Sequence, residues 1–529
     1  MIAIPIPGRA RTHEQPPIVV AALAAVIALA MLLPAAYLFV RVSEDGAAAW
    51  DAITASSAQR ALVRTAFLAL TVTAGAAALA VPLALLTERT DLPFRRIWAA
   101  LFALPLAIPS YVGAFTLVAA LGPRGMLQDA LSPFGVESLP EIYGFRGAWL
   151  ALTLFTFPYV LLPVRAAIRN LDRSMEEAAR GLGRGRLTTF LRVTLPQLRP
   201  SIAAGAVLVA LYTLSDFGAV SILRFNSLSR IIYLRYTTFD RGSAAALALL
   251  LVGLTLAVVV AESALRGRGR YHGNARHAAA SRVRLGAWTA PALLFCGAVA
   301  TVSLALPVSV MAYWLARGIR AGEAVGFVRE AAWSSMYVAV LAALVSVATA
   351  LPVARLGVRY PGLFSSLVEK ASYSGYALPG ITIALALVFF AANYAPIVYQ
   401  TMALLLFAYV VRFLPQAIAS CRSALLQVNP NTERAARSLG RGRFGVFTRI
   451  TVPQIVPGLS SGALLVFLTV MKELPVTLLL SPIGFETLAT HVWSATSEAF
   501  FARAALPALI LVGLSALPIL ATTWREDMR

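Results

Sequence analysis

The chain has 529 residues, 59% of them hydrophobic and only 13% charged, about half the charge of a soluble globular protein. Its net charge of +21 is carried by arginine, because Lys370 and Lys472 are the only lysines. Neither lysine follows glycine, which excludes a P-loop, and Cys296, Cys421 and four scattered histidines offer neither a disulfide framework nor a paired metal-ligand spacing.

Apolar runs dominate instead, and a bilayer core requires about 20 apolar residues per helix. Arg9 and Arg11 precede the first run, near 17–40. That run is too long for a signal-peptide core and lacks a small-x-small cleavage site at its end, so it reads as a transmembrane helix. Further spans are predicted near 61–86, 97–121, 147–164, 201–222 and 243–262. Residues 263–287 are basic, Gly-rich and poor in large apolar residues, and read as a cytoplasmic linker. Six more spans follow near 288–315, 332–354, 371–392, 396–411, 458–481 and 504–523. The span near 396–411 is expected to end early, at Arg412 and Pro415. The fold class is all-α: a polytopic membrane protein of twelve transmembrane helices. Its parts are a six-helix half (1–262), a linker (263–287) and a second six-helix half (288–529).

Orientation follows from the basic residues. With both termini in the cytoplasm, cytoplasmic segments carry 31 basic and 11 acidic residues and outer segments carry 13 and 11. The large net charge is therefore a topology signal, and nucleic acid is not expected as a partner.

One segment occurs twice. Residues 175–200 align without a gap to 432–457, and 15 of 26 positions are identical. A weaker echo upstream matches Pro82 to Pro352. Six spans separate equivalent points, so the two copies are parallel repeats. Both strong copies fall between the fourth and fifth helix of a half, on the cytoplasmic side. Each reads as a short Ala-rich helix, capped by Ser174 with Glu177 in the first copy and by Asn431 in the second. Gly183 and Gly440 end these helices, and Pro196 and Pro453 mark the approach to the next span. Attraction to anionic lipid requires charge alone and does not account for repeated Ala, Gly, Pro and Gln positions. A two-fold symmetric protein partner does.

The spacing Glu-Ala-Ala-x3-Gly-x9-Ile-x-Leu-Pro resembles the coupling-loop signature of ABC importer permeases. Glu177, Ala178, Ala179, Gly183, Val193, Leu195 and Pro196 fit it, with Val in place of Ile. Ala435, Ala436, Gly440, Ile450 and Pro453 fit it again; the signature acid is replaced by Arg434, and an acid stands one residue earlier, at Glu433, as Glu176 does in the first copy. The resemblance implies the type I importer permease fold. It also implies that the two loops dock two copies of a separate nucleotide-binding ATPase, which holds ATP and Mg, and that a periplasmic or surface solute-binding protein delivers solute. The chain itself is then an inner-membrane transport subunit, with no catalytic residue, metal site or cofactor of its own. Residues 211–225 and 470–493 resemble fused iron(III) permeases. Fused permeases for thiamine, aminoethylphosphonate and polyamines share the architecture.

Three ionisable residues interrupt apolar runs: Asp216, Lys472 and Glu473. The two acids occupy equivalent repeat positions, with Gly218 and Pro475 nearby as helix disruptors. Intramembrane charges face a bundle interior or a water-filled path, so these residues are pathway or gate candidates. A structural ion pair of Lys472 with either acid is the plainer alternative. Trp98, Trp149, Trp314, Trp333 and Tyr409 read as interface anchors or packing. His491, near Glu486, reads as a solvated loop residue, with binding-protein contact as the sharper alternative. An ATP-independent secondary transporter is the rival class; the segment Thr87–Arg96 lacks the glycine-aspartate-arginine signature it needs. No pore-loop signature supports a channel.

Overall fold

The computed structural model describes residues 16–44, 46–123, 125–136, 138–171, 174–265, 283–323 and 326–528. Arg9, Arg11, His13, His272, His277 and most of the linker lie outside the described residues. Among the described residues the regular structure is helix throughout, with one isolated parallel bridge between Thr90 and Val283.

Among the described residues ten helices are long and apolar enough to cross a membrane, and the number is twelve if each of two bent pairs is one span. Arg95–Ala107 meets Ser110–Phe134 at 98°, and Leu363–Ala377 meets Gly380–Tyr394 at 103°. The spans expected at 97–121 and 371–392 are therefore broken. The cause is local: Ile108 and Leu378 each precede a proline, which drives the residue before it out of the helical region. Ile108 is accordingly extended, with φ −85° and ψ 113°.

The fifth span of each half is also interrupted. Leu195–Ser215 ends one residue before Asp216 and the chain restarts as Gly218–Ile222. Val452–Met471 ends before Lys472 and restarts as Pro475–Leu480. The expectation of a short span at 396–411 is corrected in the other direction, because Met402–Gln427 continues through Pro415. A proline costs a spanning helix little where neighbouring groups satisfy the freed carbonyl.

The chain forms two compact units. One comprises the described residues up to 36 with Tyr337–Tyr376 and Leu406–Val470; the other comprises Tyr37–Met336, Ala377–Leu405 and the residues from Met471 onward. Close helix packing rests on glycine in each. In the larger unit a methyl group on Gly205 would lie 2.6 Å from Cα of Val160, so two backbones touch there. In the smaller unit a methyl on Gly462, the repeat equivalent, would lie 2.8 Å from Cβ of Ser420. Small residues at helix contacts are the means of packing in a medium without a hydrophobic drive. Exposed apolar side chains such as Leu70, Leu294 and Leu344 present the outer faces to lipid.

The aromatic residues divide. Tyr409 is fully buried and packs on Phe413. Trp98 stacks on Phe102, and the Trp149 indole donates to the Thr71 carbonyl at 3.1 Å. Trp314 meets Phe501 edge-on, and Trp333 is exposed.

Candidate functional site

The first repeated loop carries the helix Ser174–Gly181, and the second carries Pro430–Ser438. Two expectations about their caps are corrected. Ser174 is the first residue inside its helix, and residues 172–173 lie outside the described residues. In the second loop the cap is Asn429 rather than Asn431: the Asn429 side chain accepts from the Asn431 N–H at 2.9 Å, and Pro430 opens the helix. Proline is favoured at that position because its missing N–H would have had no intrahelical acceptor. Gly183 and Gly440 behave as expected. Their φ values are +80° and +82°. The N–H of Arg184 returns to the Ala179 carbonyl, and that of Arg441 to the Ala436 carbonyl. This is the left-handed C-terminal closure that glycine permits. Pro196 and Pro453 each stand second in the helix that follows.

The acid that matters structurally is not the signature acid. Glu177 is exposed, as are Ala178, Arg434 and Ala435, whereas Glu176 is buried. Both Glu176 carboxylate oxygens accept from Nη1 of Arg89, at 2.7 and 2.6 Å, and Oε1 also accepts from the Thr194 hydroxyl at 2.6 Å. Burial by itself would raise the Glu176 carboxyl, but the hydrogen bonds from Arg89 and Thr194 outweigh it and hold the group below its ordinary range. Arg89 closes the helix Ser56–Arg89, and Thr194 closes the π-helical turn Phe190–Thr194 that leads into Leu195–Ser215. The second loop repeats the arrangement. Glu433 Oε1 accepts from Nη2 of Arg359 at 3.0 Å and from the Thr451 hydroxyl at 2.9 Å. Arg359 closes its helix, and Thr451 closes the π-helical turn Phe447–Thr451.

Sequence reasoning named Glu176 and Glu433 but missed Arg89, Arg359, Thr194 and Thr451. The signals were present: both threonines are identical positions of the repeat, and each arginine lies seven residues after the matched prolines Pro82 and Pro352. Flanking the clamps, Glu88 accepts from Arg165 and Arg169, each at 2.8 Å, and Glu369 pairs with Arg422. Leu182 and Leu439, at equivalent positions, are each 83% exposed. Each loop thus has a fixed inner side and an uncovered outer side with an apolar residue.

The intramembrane acids lie in the helix breaks rather than within continuous helices. Asp216 Oδ1 accepts from the N–H groups of Ala219 and Val220, at 3.0 and 3.2 Å, and Glu473 Oε1 accepts from the N–H of Val476 at 3.4 Å. Each acid therefore satisfies backbone donors exposed by the restart of its helix. Asp216 also accepts from the Ser110 hydroxyl, which lies just past the break in the third span. Lys472 is not the partner of either acid; Nζ donates to the Leu106 carbonyl at 3.1 Å, at the same break. A methyl on Gly218 would lie 2.6 Å from Cβ of Tyr111 and 3.3 Å from the Leu474 side chain. The two breaks therefore meet, with Tyr111, Phe217 and Leu474 all buried there. His491 pairs with Glu486 at 2.9 Å on the surface of this unit. Among the described residues no group of His, Cys, Asp and Glu has the arrangement of a metal site.

A membrane-spanning all-α chain with two equivalent loops and two equivalent broken helices is a duplicated transport subunit. The sequence matches the family model for the binding-protein-dependent transport system inner membrane component twice, over residues 80–321 and 329–526. The chain belongs to this family. It is 33% identical over 513 residues to the Fe(3+)-transport system permease protein FbpB 2 of Haemophilus influenzae, covering 96% of this chain and 98% of that one. It is 28% identical over 249 residues to the sulfate transport system permease protein CysT of Salmonella typhimurium, and 32% identical over 247 residues to the molybdenum transport system permease protein ModB of Mycobacterium tuberculosis. The last two cover 46% and 45% of this chain but 89% and 90% of their own length. Their near-complete length thus corresponds to about half of this chain.

Proposed function

We propose that this chain is the permease of an ATP-driven importer for ferric iron, built as two fused halves (1–262 and 288–529) joined by a linker. The observation that carries the coupling role is the doubled loop, with one inner clamp and one uncovered outer side in each half. Iron is supported by likeness to one iron(III) permease across nearly the whole of both chains; the sulfate and molybdenum permeases match only half of this chain.

In this reading two copies of an ATPase, holding ATP and Mg, grip the loops at Glu177–Leu182 and Arg434–Leu439. A solute-binding protein delivers cargo to the opposite face, and both termini lie with the ATPase. ATP binding draws the loops together and switches access across the membrane, which requires contacts that differ between the two states. Asp216, Glu473 and Lys472 shape the gate where the two breaks meet.

The test is reconstitution of the chain with its ATPase and binding protein in proteoliposomes. ATP-dependent uptake of 55Fe(III) is expected. Uptake of sulfate or molybdate in its place overturns the iron assignment, and uptake that ignores ATP favours a secondary transporter. Asp216→Asn with Glu473→Gln is expected to impair uptake at normal membrane assembly; unchanged uptake removes both acids from the gate.

A further inference from the structure

The clamps join three elements through one carboxylate each. In the first half, Glu176 on the loop helix is held by Arg89 at the end of the second span and by Thr194 at the start of the fifth. In the second half, Glu433 is held by Arg359 and Thr451 at the corresponding places. Around the loop helix Met175, Glu177, Ala178 and Leu182 are exposed, and the helix is only 8 residues long. It is followed by a left-handed glycine, Gly183. Without the clamp, a push from below would tilt such a helix and leave the membrane helices where they are.

We infer that Glu176 and Glu433, each with its arginine and threonine, are positioning residues that convert displacement of the loop helix into movement of the second and fifth spans. This rests on the coupling role proposed above and adds its transmission element. The fifth span carries the displacement further, because Leu195–Ser215 is one helix from the clamp to the break at Asp216. The same relation holds for Val452–Met471 and the break at Lys472–Leu474. A carboxylate with hydrogen bonds to two elements transmits both push and pull, which an apolar contact does not. Recurrence in both halves argues against an incidental pair: the arginines and the threonines are brought to the acids from opposite sides of the loop in sequence.

The test uses the full transporter complex, with Glu176→Gln, Glu433→Gln and the double variant. Glutamine keeps the size and an acceptor for the threonine and removes the charge that grips arginine. Hydrogen–deuterium exchange is followed in nucleotide-free and ATP–vanadate states. In the unsubstituted complex, vanadate is expected to change exchange both in 174–183 and in 213–220. In the double variant the loop is expected to respond as before, the segment 213–220 to lose its response, and 55Fe(III) uptake to fall at least tenfold with ATPase retention unchanged. Glu176→Asp with Glu433→Asp is expected to restore part of the response. A full response at 213–220 in the double variant overturns the inference. So does raised exchange there before nucleotide is added, which assigns the clamps to folding alone. Loss of ATPase from the unsubstituted complex, or no nucleotide response in it, overturns instead the coupling role on which the inference rests.

Discussion

The two repeated loops share one inner side and differ at a prominent position of the other, where Glu177 is matched by Arg434. Glu176 and Glu433 are held by the same residue types at equivalent positions, yet the first clamp is the tighter. It has two contacts from Arg89 at 2.6–2.7 Å against one from Arg359 at 3.0 Å. The Glu176 side chain is 9% exposed and that of Glu433 17%. The turn that carries Arg89 has an extra anchor, because the N–H of Val283 donates to the Arg89 carbonyl at 2.9 Å and the N–H of Leu285 to the Asp91 carboxylate. In the second loop Arg355 lies over the Phe447 ring instead, at 4.2 Å. The halves therefore agree where the loop joins its own membrane helices and keep the exposed Ala178/Ala435 and Leu182/Leu439 pairs, but the exposed charge is reversed at Glu177/Arg434.

The strongest way to break this comparison is to remove one member of each clamp. Arg89→Met leaves Glu176 buried without its cation and is expected to cost about 3–5 kcal/mol. Arg359→Met is expected to cost less, about 1–3 kcal/mol, because Glu433 is more exposed. Thermal denaturation of the purified protein in detergent measures both, and equal losses would erase the distinction between the clamps.

Acidification probes the first clamp without mutation. Because the folded-state value of Glu176 is depressed below its ordinary 4.5, its stabilisation is present above that value and is lost as pH falls through the lowered one. Glu176→Gln should flatten the acid limb of the stability profile below about pH 4.5. An unchanged limb would mean that Glu176 does not differ between the folded and unfolded states.

Gly183→Val and Gly440→Val should each cost about 1–2 kcal/mol from the left-handed backbone alone, since a Cβ at either position meets nothing within 4 Å. Both should also weaken ATPase co-purification and uptake. A much larger loss at one would show that one glycine has a packing role as well. Asn429→Ala should cost about 1 kcal/mol and Asn431→Ala almost nothing; the reverse order would return the cap to Asn431.

A similarly small effect on stability, within about 0.5 kcal/mol, is expected of Glu177→Ala and Arg434→Ala, which lie on exposed surface. Their effect should appear in retention of the ATPase, and unequally. Equal retention would show that the outer faces differ in sequence but not in use.

Much of this protein follows from its sequence alone. Apolar length determines that helices cross the membrane, because an unpaired backbone has no partner in hydrocarbon. The repeat at one offset determines that the chain is two copies of one unit. Left-handed glycines mark the ends of both loop helices, because that conformation is written in a single residue. Tertiary structure alone decided which acid is clamped. Glu176 and Glu177 are neighbours of one type, and only the approach of Arg89, 87 residues earlier, and of Thr194 distinguishes them. It also decided that apolar runs at 97–121, 201–222, 371–392 and 458–481 are broken rather than straight. Hydropathy sums over a window and does not register a bend; at 97–121, 201–222 and 458–481 the bend depends on Lys472, Asp216 and Glu473 taking up backbone groups it frees.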